Sequence, residues 1–406
     1  MKSPAHALRL VLENAAQPRK KFVPLANAGG FVLAQKICAP RPVPLADNSA
    51  MDGYAFNSLD TVQARRIHPC QIEIKGTLKA GDPPARECLR GSAYRIMTGA
   101  FMPQGADTVI AQEDAVVRGG KLYFSETMTA GTHIRKRGEE VKKGQTLLAA
   151  GTAMDPAAMG IAAGCGCRNV YVYDRPRVTV LATGSELIRP GQILKTGKIY
   201  DSNSWLLRAA LLEMGIRPAE VKLVRDDLRA MRKALRKPLR VCDFVLIAGG
   251  VSSGDYDVVK EALRLEGVQT IFWKVNQKPG KPLYFGSKSK TAVFGLPGNP
   301  AAVFTCFYKY VYPALRKSSG LRNPLLLSSR VLADAQISQD SKRFLFCKAK
   351  LNLRKGSATP KAEILSRQGS HMLTSLMEAD GFLEIPPTVS GTAAPEIFRF
   401  ERLPWR

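Results

Sequence analysis

The chain has 406 residues, 45% of them hydrophobic, and its 60 Lys and Arg against 34 Asp and Glu give a formal net charge of +26. That length exceeds what one hydrophobic core usually supports, so we expect two to four domains. The absence of an apolar run of 18 residues and of a leader pattern argues against a membrane protein and favours a cytoplasmic one.

The basic charge would attract nucleic acid, acidic membranes or anionic small molecules. The basic residues are spread along the chain, with local concentrations only at residues 135–143 and 229–240. No tract marks a nucleic-acid groove, and we do not expect nucleic acid as a partner. The eight cysteines are scattered and the four histidines form no cluster, which predicts reduced thiols and no zinc site.

The N-terminal part combines one helix with short β segments. A helix is predicted at residues 6–13, and residues 47–55 form a polar cluster typical of a surface turn or a functional loop. Residues 71–117 alternate short β segments with Gly and Pro breaks, which predicts a β-rich subdomain. Asp155 and Pro156 then indicate the start of a helix that Gly164 ends.

From residue 176, strand and helix patterns alternate in the way that builds a parallel sheet with crossover helices. A helix is predicted after the capping residues 201–203, another at residues 258–265, and a third with Asn299 as its cap. Beyond Pro324 the pattern predicts a small β domain with strands at residues 329–333, 343–351 and 382–385. The predicted strands of the parallel sheet are residues 178–182, 221–224, 244–248, 271–275 and 291–294.

Acidic side chains follow several of these strands. In an open α/β sheet, ligands bind in the crevice outside the carboxyl ends of the strands, so this shared placement points to a site. A single carboxylate such as Asp226 or Asp227 could instead cap the following helix. The acidic residues in question are Glu186, Asp226, Asp255 and Asp257.

Glycine-bearing turns at residues 249–254 and 295–300 would present backbone N–H groups to an anion. Lys278 and Lys281 lie in a loop that prolines stiffen, where their ammonium groups could meet phosphate oxygens while carboxylates hold a divalent cation. A Walker A motif and a Gly-x-Gly-x-x-Gly turn are both absent, which disfavours a P-loop NTPase or a dinucleotide enzyme. The pattern predicts phosphate and metal chemistry.

The chain closely resembles the molybdopterin molybdotransferases of the MoeA type, to which the gephyrin E domain also belongs. The resemblance covers nearly the full length, and linked motifs in the right order carry it. These motifs are residues 47–55, Met97-Thr98-Gly99-Ala100, Pro103, Gly105-Ala106-Asp107, Gly138-Glu139-Glu140, Thr183-Gly184-Ser185-Glu186-Leu187, Asp201-Ser202-Asn203 and residues 249–257, 278–282 and 295–300.

The resemblance implies a mixed multidomain fold whose centre is a doubly wound α/β domain of the molybdopterin-binding type. A β-rich N-terminal subdomain, a discontinuous N-terminal linker domain and a small C-terminal β domain complete it. The expected division is residues 1–25, 42–52 and 138–175 for the discontinuous domain, 26–41 and 53–137 for the β-rich subdomain, 176–325 for the α/β domain and 326–406 for the C-terminal domain.

The resemblance also implies an activity in molybdenum cofactor biosynthesis. Adenylylated molybdopterin would be hydrolysed in the presence of molybdate, the metal substrate, and Mg²⁺, with release of AMP. The expected assembly is a homodimer whose active site lies between the α/β domain of one subunit and the N-terminal part of the other. Contacts with molybdopterin adenylyltransferase and with molybdoenzymes are among the expected interactions.

Site residues follow from the same resemblance, position by position. The residues expected to place Mg²⁺ and polarise the phosphoanhydride are Glu186, Asp226 and Asp257. The N-terminal region would contribute Asp52, Thr98 and Glu140 to catalysis. The residues expected to bind substrate or molybdate are Gly249, Gly250, Ser252, Gly254, Asp255, Lys274, Lys278, Lys281, Pro297, Pro300 and, from the C-terminal domain, Ser370.

The chain departs from the common family pattern at four positions. Glu140 and Ser185 stand where the family commonly has Asp, and Ser253 stands where it has Val. Near Ala302, after the proline turn, the family commonly has a residue with a hydroxyl group. Two alternatives stay open at this point: a molybdopterin adenylyltransferase, whose α/β domain is similar, and a non-catalytic basic scaffold or nucleic-acid-binding protein. The large N-terminal portion favours the molybdotransferase over the adenylyltransferase.

Overall fold

The strand Phe244–Ala248 lies in the middle of a six-stranded sheet. The structure is a computed structural model that describes residues 1–83, 87–250, 258–333, 342–352, 359–387 and 396–406. The first four strands of the sheet are parallel, and the last two run antiparallel to their neighbours. The strand order is Glu220–Val224, Val178–Thr183, Phe244–Ala248, Thr291–Leu296, Tyr284–Lys288 and Gln269–Trp273.

Both faces of this sheet are covered. Successive side chains of a strand point to opposite faces, and Phe244 and Leu246 pack into one hydrophobic cluster while Val245 and Ile247 pack into another. A strand buried on both faces requires a continuous apolar sequence, which explains this run and confirms the predicted doubly wound α/β class. The covering helices are Asn203–Glu213, Leu228–Arg236, Pro238–Val241, Val258–Leu265, Pro300–Cys306 and Tyr312–Ser318, with a π-helical segment Phe307–Val311 before the last.

All five strands predicted for this domain occur, with ends shifted by a few residues, but the strand Tyr284–Lys288 was missed. Its five residues contain a central glycine and follow a proline-rich loop, so they resemble a loop in sequence. They become a strand because they form an antiparallel hairpin with Thr291–Leu296. Pairing with a neighbour, rather than local pattern, therefore decides this element.

The C-terminal strands close into a small barrel. Phe344–Asn352 pairs with both Lys361–Ile364 and Gly381–Ile385, which completes the ring. The short strand Gln277–Lys278 of the α/β domain adds to the same sheet, parallel to Phe344–Asn352, so the barrel is joined directly to the proline-rich loop. The predicted C-terminal β domain is confirmed, and its strands are Ser328–Ala333, Phe344–Asn352, Lys361–Ile364, Gly381–Ile385 and Glu396–Arg402.

The contacts divide the chain into two units. The first unit comprises Met1–Gln35, Ala150–Met159 and Arg168–Arg406, and the second comprises Lys36–Ala149 and Gly160–Cys167. Besides the α/β domain and the barrel, the first unit holds the predicted N-terminal helix, Pro4–Glu13. It also contains the strands Lys20–Pro24, Asn169–Tyr173 and Val32–Leu33 in one sheet, the paired strands Leu187–Ile188 and Ile199–Tyr200, and the 3₁₀ turns Leu25–Asn27 and Thr374–Leu376.

The second unit is β-rich, in agreement with the sequence. Its main sheet runs in the order Thr108–Ala111, Gly53–Phe56, Ser92–Ile96, Cys70–Leu78, Lys121–Phe124 and Val116–Arg118. Two small pairs join Asn48–Ser49 to Ile134–Arg135 and Ile37–Cys38 to Thr146–Leu148, and one 3₁₀ turn spans Ser58–Thr61. The helix Pro156–Gly164 begins in the first unit and ends in the second. The four-domain boundaries stay a prediction.

Among the residues described, no helix combines the length and the apolar character needed to cross a membrane. All eight cysteines are free thiols, as the scattered spacing predicted.

Candidate active site

A cleft of about 1010 Å³ opens in the first unit at the carboxyl ends of the parallel strands. Strand ends of the α/β domain form part of its wall, the proline-rich loop forms another part, and the barrel contributes the rest. The described residues that line it are Thr183, Gly184, Glu186, Leu187, Ile199, Tyr200, Ser202, Asn203, Asp226, Gly249, Gly250, Val258, Ala302, Arg343 and residues 277–282, 297–300 and 368–371.

Two exposed carboxylates, Glu186 and Asp226, line the cleft after neighbouring strands. The hydroxyl of Thr183, the last residue of its strand, donates to Asp226 Oδ1 at 3.4 Å. The adjacent Asp227 caps the helix Leu228–Arg236 by accepting from the Ala230 N–H at 2.8 Å. The sequence left open whether these aspartates form part of a site or cap a helix. In the structure, Asp226 lines the cleft and Asp227 caps the helix.

The turn after Phe244–Ala248 requires glycine. Gly249 has a φ of +89°, and a Cβ there would lie 2.2 Å from the Thr183 carbonyl oxygen. At Gly250, with a φ of +68°, a Cβ would lie 2.5 Å from a methyl carbon of Val259. Only glycine allows the backbone to approach this closely in the left-handed region, so the turn brings main-chain groups to the wall of the cleft.

The proline-rich loop is held from behind by Gln277, whose side chain is fully buried. Its amide nitrogen Nε2 donates to the carbonyl oxygens of Pro279 and Gly280 at 3.2 and 3.3 Å. Its oxygen Oε1 accepts from the hydroxyl of Tyr310, which lies in the π-helical segment. Gln277 thus fixes the backbone between Lys278 and Lys281, whose exposed side chains both line the cleft.

Gly280 packs against the thiol of Cys306, and a Cβ at this position would lie 2.5 Å from Cys306 Sγ. Burial raises the pKa of the Cys306 thiol far above its usual range, so the thiol is protonated at neutral pH. Cys306 therefore serves as packing behind the loop rather than as a nucleophile.

Asn299 precedes the helix Pro300–Cys306, as predicted, but its side chain does not cap that helix. Instead, Asn299 Nδ2 donates to the hydroxyl of Ser370, a barrel residue, at 2.9 Å. The Ser370 carbonyl oxygen accepts from the Ala301 N–H at 3.0 Å and so takes up a free donor at the start of the helix. This pair of bonds sets Ser370 at the edge of the cleft.

Asn203 was quoted in a motif but not expected to bind a ligand. Its Nδ2 donates to the Gly298 carbonyl oxygen at 2.7 Å, which ties the helix Asn203–Glu213 to the turn before Pro300. Its Oδ1 is buried and has no hydrogen-bond partner in the part of the chain described. A buried acceptor without a partner is costly, so this atom is suited to receive a donor from a bound molecule.

Asp52 and Thr98 lie in the second unit and contact each other. The strand register pairs Gly53 with Ile96, which brings the residues beyond these ends together. Thr98 donates to Asp52 Oδ1 through its hydroxyl at 2.6 Å and through its backbone N–H at 2.7 Å. The hydroxyl bond is the main reason that the pKa of Asp52 lies below its ordinary value, so the carboxylate is ionised at neutral pH.

Other expected site residues lie elsewhere. Glu140 is an exposed residue of the second unit, with its backbone N–H bonded to the Val43 carbonyl oxygen at 3.1 Å. Lys274 does not line the cleft; its ammonium nitrogen lies 3.9 Å from the centroid of the Trp273 ring. Four expected residues fall outside the described ranges: Ser252, Gly254, Asp255 and Asp257.

The structure thus brings together nine of the expected residues in one cleft: Glu186, Asp226, Gly249, Gly250, Lys278, Lys281, Pro297, Pro300 and Ser370. Sequence reasoning missed Gln277, Asn203 and Arg343 as cleft residues. Their neighbours in sequence carried the only signal, since each lies within or beside a segment already singled out. Cations on one loop and carboxylates at the strand ends suit this cleft to bind an anionic ligand together with a divalent cation.

Models of known protein families match most of the chain. The model of the MoeA N-terminal region (domain I and II) matches residues 2–166, that of a probable molybdopterin binding domain matches residues 179–317, and that of the MoeA C-terminal region (domain IV) matches residues 330–401.

Individual relatives agree. Molybdopterin molybdenumtransferase 2 of Mycobacterium tuberculosis is 34% identical over 401 residues, which cover 97% of this chain and 98% of the relative. Molybdopterin molybdenumtransferase of Haemophilus influenzae is 32% identical over 94% of this chain and 93% of its own. The crystal structure of the molybdopterin biosynthesis MoeA protein of Pyrococcus horikoshii OT3 is 30% identical and superposes with a TM-score of 0.85, covering 99% of this chain and 100% of that one.

The fold, the cleft and these matches define a MoeA-type, multidomain enzyme of molybdenum cofactor biosynthesis. More specifically, the chain belongs to the molybdopterin molybdenumtransferase family. The predicted family and the prediction of a transferase are thereby confirmed, and the enzyme is favoured over the scaffold alternative.

Proposed function

We propose that this enzyme inserts molybdenum from molybdate into adenylylated molybdopterin, in a Mg²⁺-dependent reaction that releases AMP. The observation that carries the proposal is the composition of the cleft. The carboxylates of Glu186 and Asp226 and the ammonium groups of Lys278 and Lys281 line the same space, next to the glycine turn at Gly249. A phosphoanhydride with its cation, and molybdate beside it, would need this combination of charges.

The donor set fits Mg²⁺. Within the described residues no group of three or more metal-binding side chains is assembled, but Mg²⁺ usually takes one or two protein carboxylates and completes its sphere with water and substrate phosphates. Glu186 and Asp226 would supply those carboxylates, and Asp257 is a further expected ligand outside the described ranges. Bound there, Mg²⁺ would neutralise charge on the phosphate oxygens during cleavage.

Anion binding falls to the proline-rich loop. Lys278 and Lys281 project from a backbone that Gln277 fixes from behind, so the main chain that carries their ammonium groups is in place before substrate arrives. Cleavage of a phosphoanhydride depends on positioning and charge neutralisation more than on a covalent nucleophile. The protonated thiol of Cys306 is consistent with this, because the cysteine behind the loop is not activated.

The pterin part of the substrate carries N–H donors, and the cleft offers an acceptor for one of them. Asn203 lines the cleft, and its Oδ1 is buried and has no partner in the described part of the chain. A donor from the ligand would satisfy it and so orient the ring system. The exposed cations of the cleft would then hold the charged end of the same molecule.

We further propose a cytoplasmic homodimer with shared active sites. Asp52, Thr98 and Glu140 of one copy would complete the cleft of the other, with the ionised Asp52 held ready by Thr98. The free cysteines support a reducing compartment. A molybdopterin adenylyltransferase would supply the adenylylated substrate, and molybdoenzymes would receive the finished cofactor.

A direct assay tests the reaction. The purified protein is supplied with adenylylated molybdopterin, molybdate and Mg²⁺, and released AMP is measured; no AMP above the protein-free control would overturn the proposal. Asp226→Asn and Asp257→Asn are expected to abolish release. Asp227→Asn is the matched control for Asp226→Asn, since it makes the same change one residue away, at a helix cap that Asn also fills. Full activity of Asp226→Asn would remove that carboxylate from the site.

Mixed dimers test the shared site. Asp52→Asn and Lys278→Ala are each expected to be inactive, but a mixed dimer would contain one site free of both changes. Random exchange makes half the dimers mixed, so recovery of about a quarter of wild-type activity is expected. No recovery after demonstrated exchange would place Asp52 and Lys278 in the same subunit's site or remove Asp52 from it.

A further inference from the structure

A second, smaller cavity of about 130 Å³ lies in the first unit and shares no residue with the cleft. Four parts of the chain meet at it: residues 30–32, Tyr173 with Arg175, Met214, and the region from Tyr312 to Leu321. Two arginines, Arg175 and Arg316, are among the residues that line it. None of the described residues that line it has a carboxylate.

Arg175 is held in place without a counter-ion from the part of the chain that the structure describes. Its guanidinium carbon lies 4.3 Å from the centroid of the Phe31 ring, and Nη2 donates to the Gly30 carbonyl oxygen at 3.3 Å. It also lies against the backbone of Gly215, where a Cβ would come within 2.5 Å of its guanidinium carbon. Packing against Phe31 and Gly215 fixes the plane of the group, and within the described residues Arg175 forms no ion pair.

The side chain of Arg316 is also held by hydrogen bonds, but not all of its N–H donors have a partner in the described structure. Nη1 donates to the hydroxyl of Tyr312 at 2.6 Å, and Nη2 donates to the Asn323 carbonyl oxygen at 3.2 Å. Its Nε is buried and has no hydrogen-bond partner in the described structure. This nitrogen is closed off by protein atoms, so a ligand in the cavity would meet the second N–H groups of Nη1 and Nη2 instead.

We propose that this cavity binds a small tetrahedral oxyanion between Arg175 and Arg316. Arginine forks bind phosphate-like groups through paired N–H bonds, and the neighbouring Phe31 and Met214 keep the surroundings apolar, which strengthens such bonds. A cavity of about 130 Å³ has room for one such ion. The hydroxyl of Ser319 also lines the cavity and can act as a further donor.

Bound there, the ion would join the chain before the α/β domain to the end of its last helix. Its binding would stabilise the first unit and leave the chemistry of the cleft unchanged. Phosphate, sulfate and molybdate share the required charge and shape. The site is independent of the reaction proposed above, because neither arginine lines the cleft.

Calorimetry and thermal unfolding test the site in a Lys278→Ala/Lys281→Ala background, where anion binding in the cleft is weakened. Phosphate, sulfate and molybdate are titrated separately at constant ionic strength, with chloride as the reference. Saturable one-to-one binding of any of the three, with a rise in Tm, is expected and would identify the ion. A response equal to that of chloride in all three titrations would overturn the proposal.

Variants then locate the binding. Arg175→Gln and Arg316→Gln are expected to weaken it by at least about tenfold. Arg217→Gln removes the same charge at an exposed position outside the cavity and should bind like its parent. If Arg316→Gln does not fold, Arg175→Lys serves, since it keeps the charge but loses the fork. Unchanged affinity in both Arg175 variants would overturn the assignment.

Discussion

Thr98 donates both its hydroxyl and its backbone N–H to a single oxygen of Asp52, at 2.6 and 2.7 Å. Thr98→Val removes the hydroxyl bond, the main cause of the lowered pKa, and keeps the backbone bond. We therefore expect the pKa of Asp52 to rise towards its ordinary value of 3.8 without reaching it. A carboxyl NMR titration measures this shift.

The sign of the effect on stability follows from the same shift. A carboxyl with a lowered pKa in the folded state contributes stability above its unfolded pKa, and loses it as pH falls through the folded pKa. As the pH falls below about 4, Thr98→Val should therefore lose less folding stability than the wild type does. Thr132→Val, which removes a hydroxyl bonded to the Thr129 carbonyl oxygen, is the control and should leave Asp52 unchanged. An identical pKa in Thr98→Val and wild type would contradict the assigned cause.

Two glycines of the cleft give a matched pair. Gly280 has a φ of +88°, and an added Cβ would lie 2.5 Å from Cys306 Sγ, whereas a Cβ on Gly298 would meet no atom within 4 Å. Gly280→Ala should destabilise the protein by about 1–3 kcal/mol or more, because the added methyl group causes both backbone strain and a steric clash. Gly298→Ala should change stability by less than about 0.5 kcal/mol. Urea unfolding compares them, and equal stabilities would show that the loop can move away from Cys306.

Gln277 should affect catalysis indirectly, by fixing the loop that carries Lys278. Tyr310→Phe leaves the buried Gln277 Oε1 without its donor, which should cost about 1–3 kcal/mol of stability. Gln277→Leu also releases the carbonyl oxygens of Pro279 and Gly280. We expect a higher KM for molybdate in both variants, because the loop that carries Lys278 is no longer fixed.

Tyr123→Phe, a tyrosine on a strand of the second unit, is the control for the loss of a hydroxyl and should leave KM unchanged. A fall in Tm with no change of KM in Gln277→Leu would mean that Gln277 is structural only.

Lys309 is buried between two carboxylates, those of Glu384 and Glu401, and so joins the π-helical segment to the barrel. Lys309→Met removes the buried cation, and among the described residues it leaves the two carboxylates with only the half-exposed Arg399 as a partner. A loss of about 3–5 kcal/mol in the free energy of unfolding is expected. Lys350→Met, at an exposed position on the same barrel, should be nearly neutral.

The stability that Lys309→Met loses should depend on pH. Burial raises the pKa of the Glu401 carboxyl group, so this group binds a proton more tightly in the folded protein than in the unfolded chain. A raised carboxyl pKa gives stability at low pH that is lost as pH rises through the folded pKa. Without Lys309 the pKa rises further, so the variant should be closer to wild type at pH ~5 than at pH ~7.5. A difference that is constant between these two conditions would contradict the mechanism.

Much of the fold could be read from local pattern. The run Phe244–Ala248 is apolar at every position because both faces of its strand are covered, and that requirement is visible in the sequence itself. Helix starts could be read only in part. The sequence left the cap open between Asp226 and Asp227, and Asn299, the cap predicted for another helix, makes no capping bond. The strand Tyr284–Lys288 escaped because its pairing partner, rather than its own composition, makes it a strand.

The sequence by itself determined the α/β fold class and predicted a crevice with charged residues at the strand ends, because turn chemistry and strand periodicity are local properties. The enzyme family followed from linked motifs that resemble a known family. Only the tertiary structure decided which of two adjacent aspartates faces the cleft, and that Asn299 bonds to Ser370 rather than to its own helix. Bonds between residues 71 positions apart depend on how the barrel packs against the sheet. Packing also buried Gln277 behind the lysine loop, a role that no local pattern encodes.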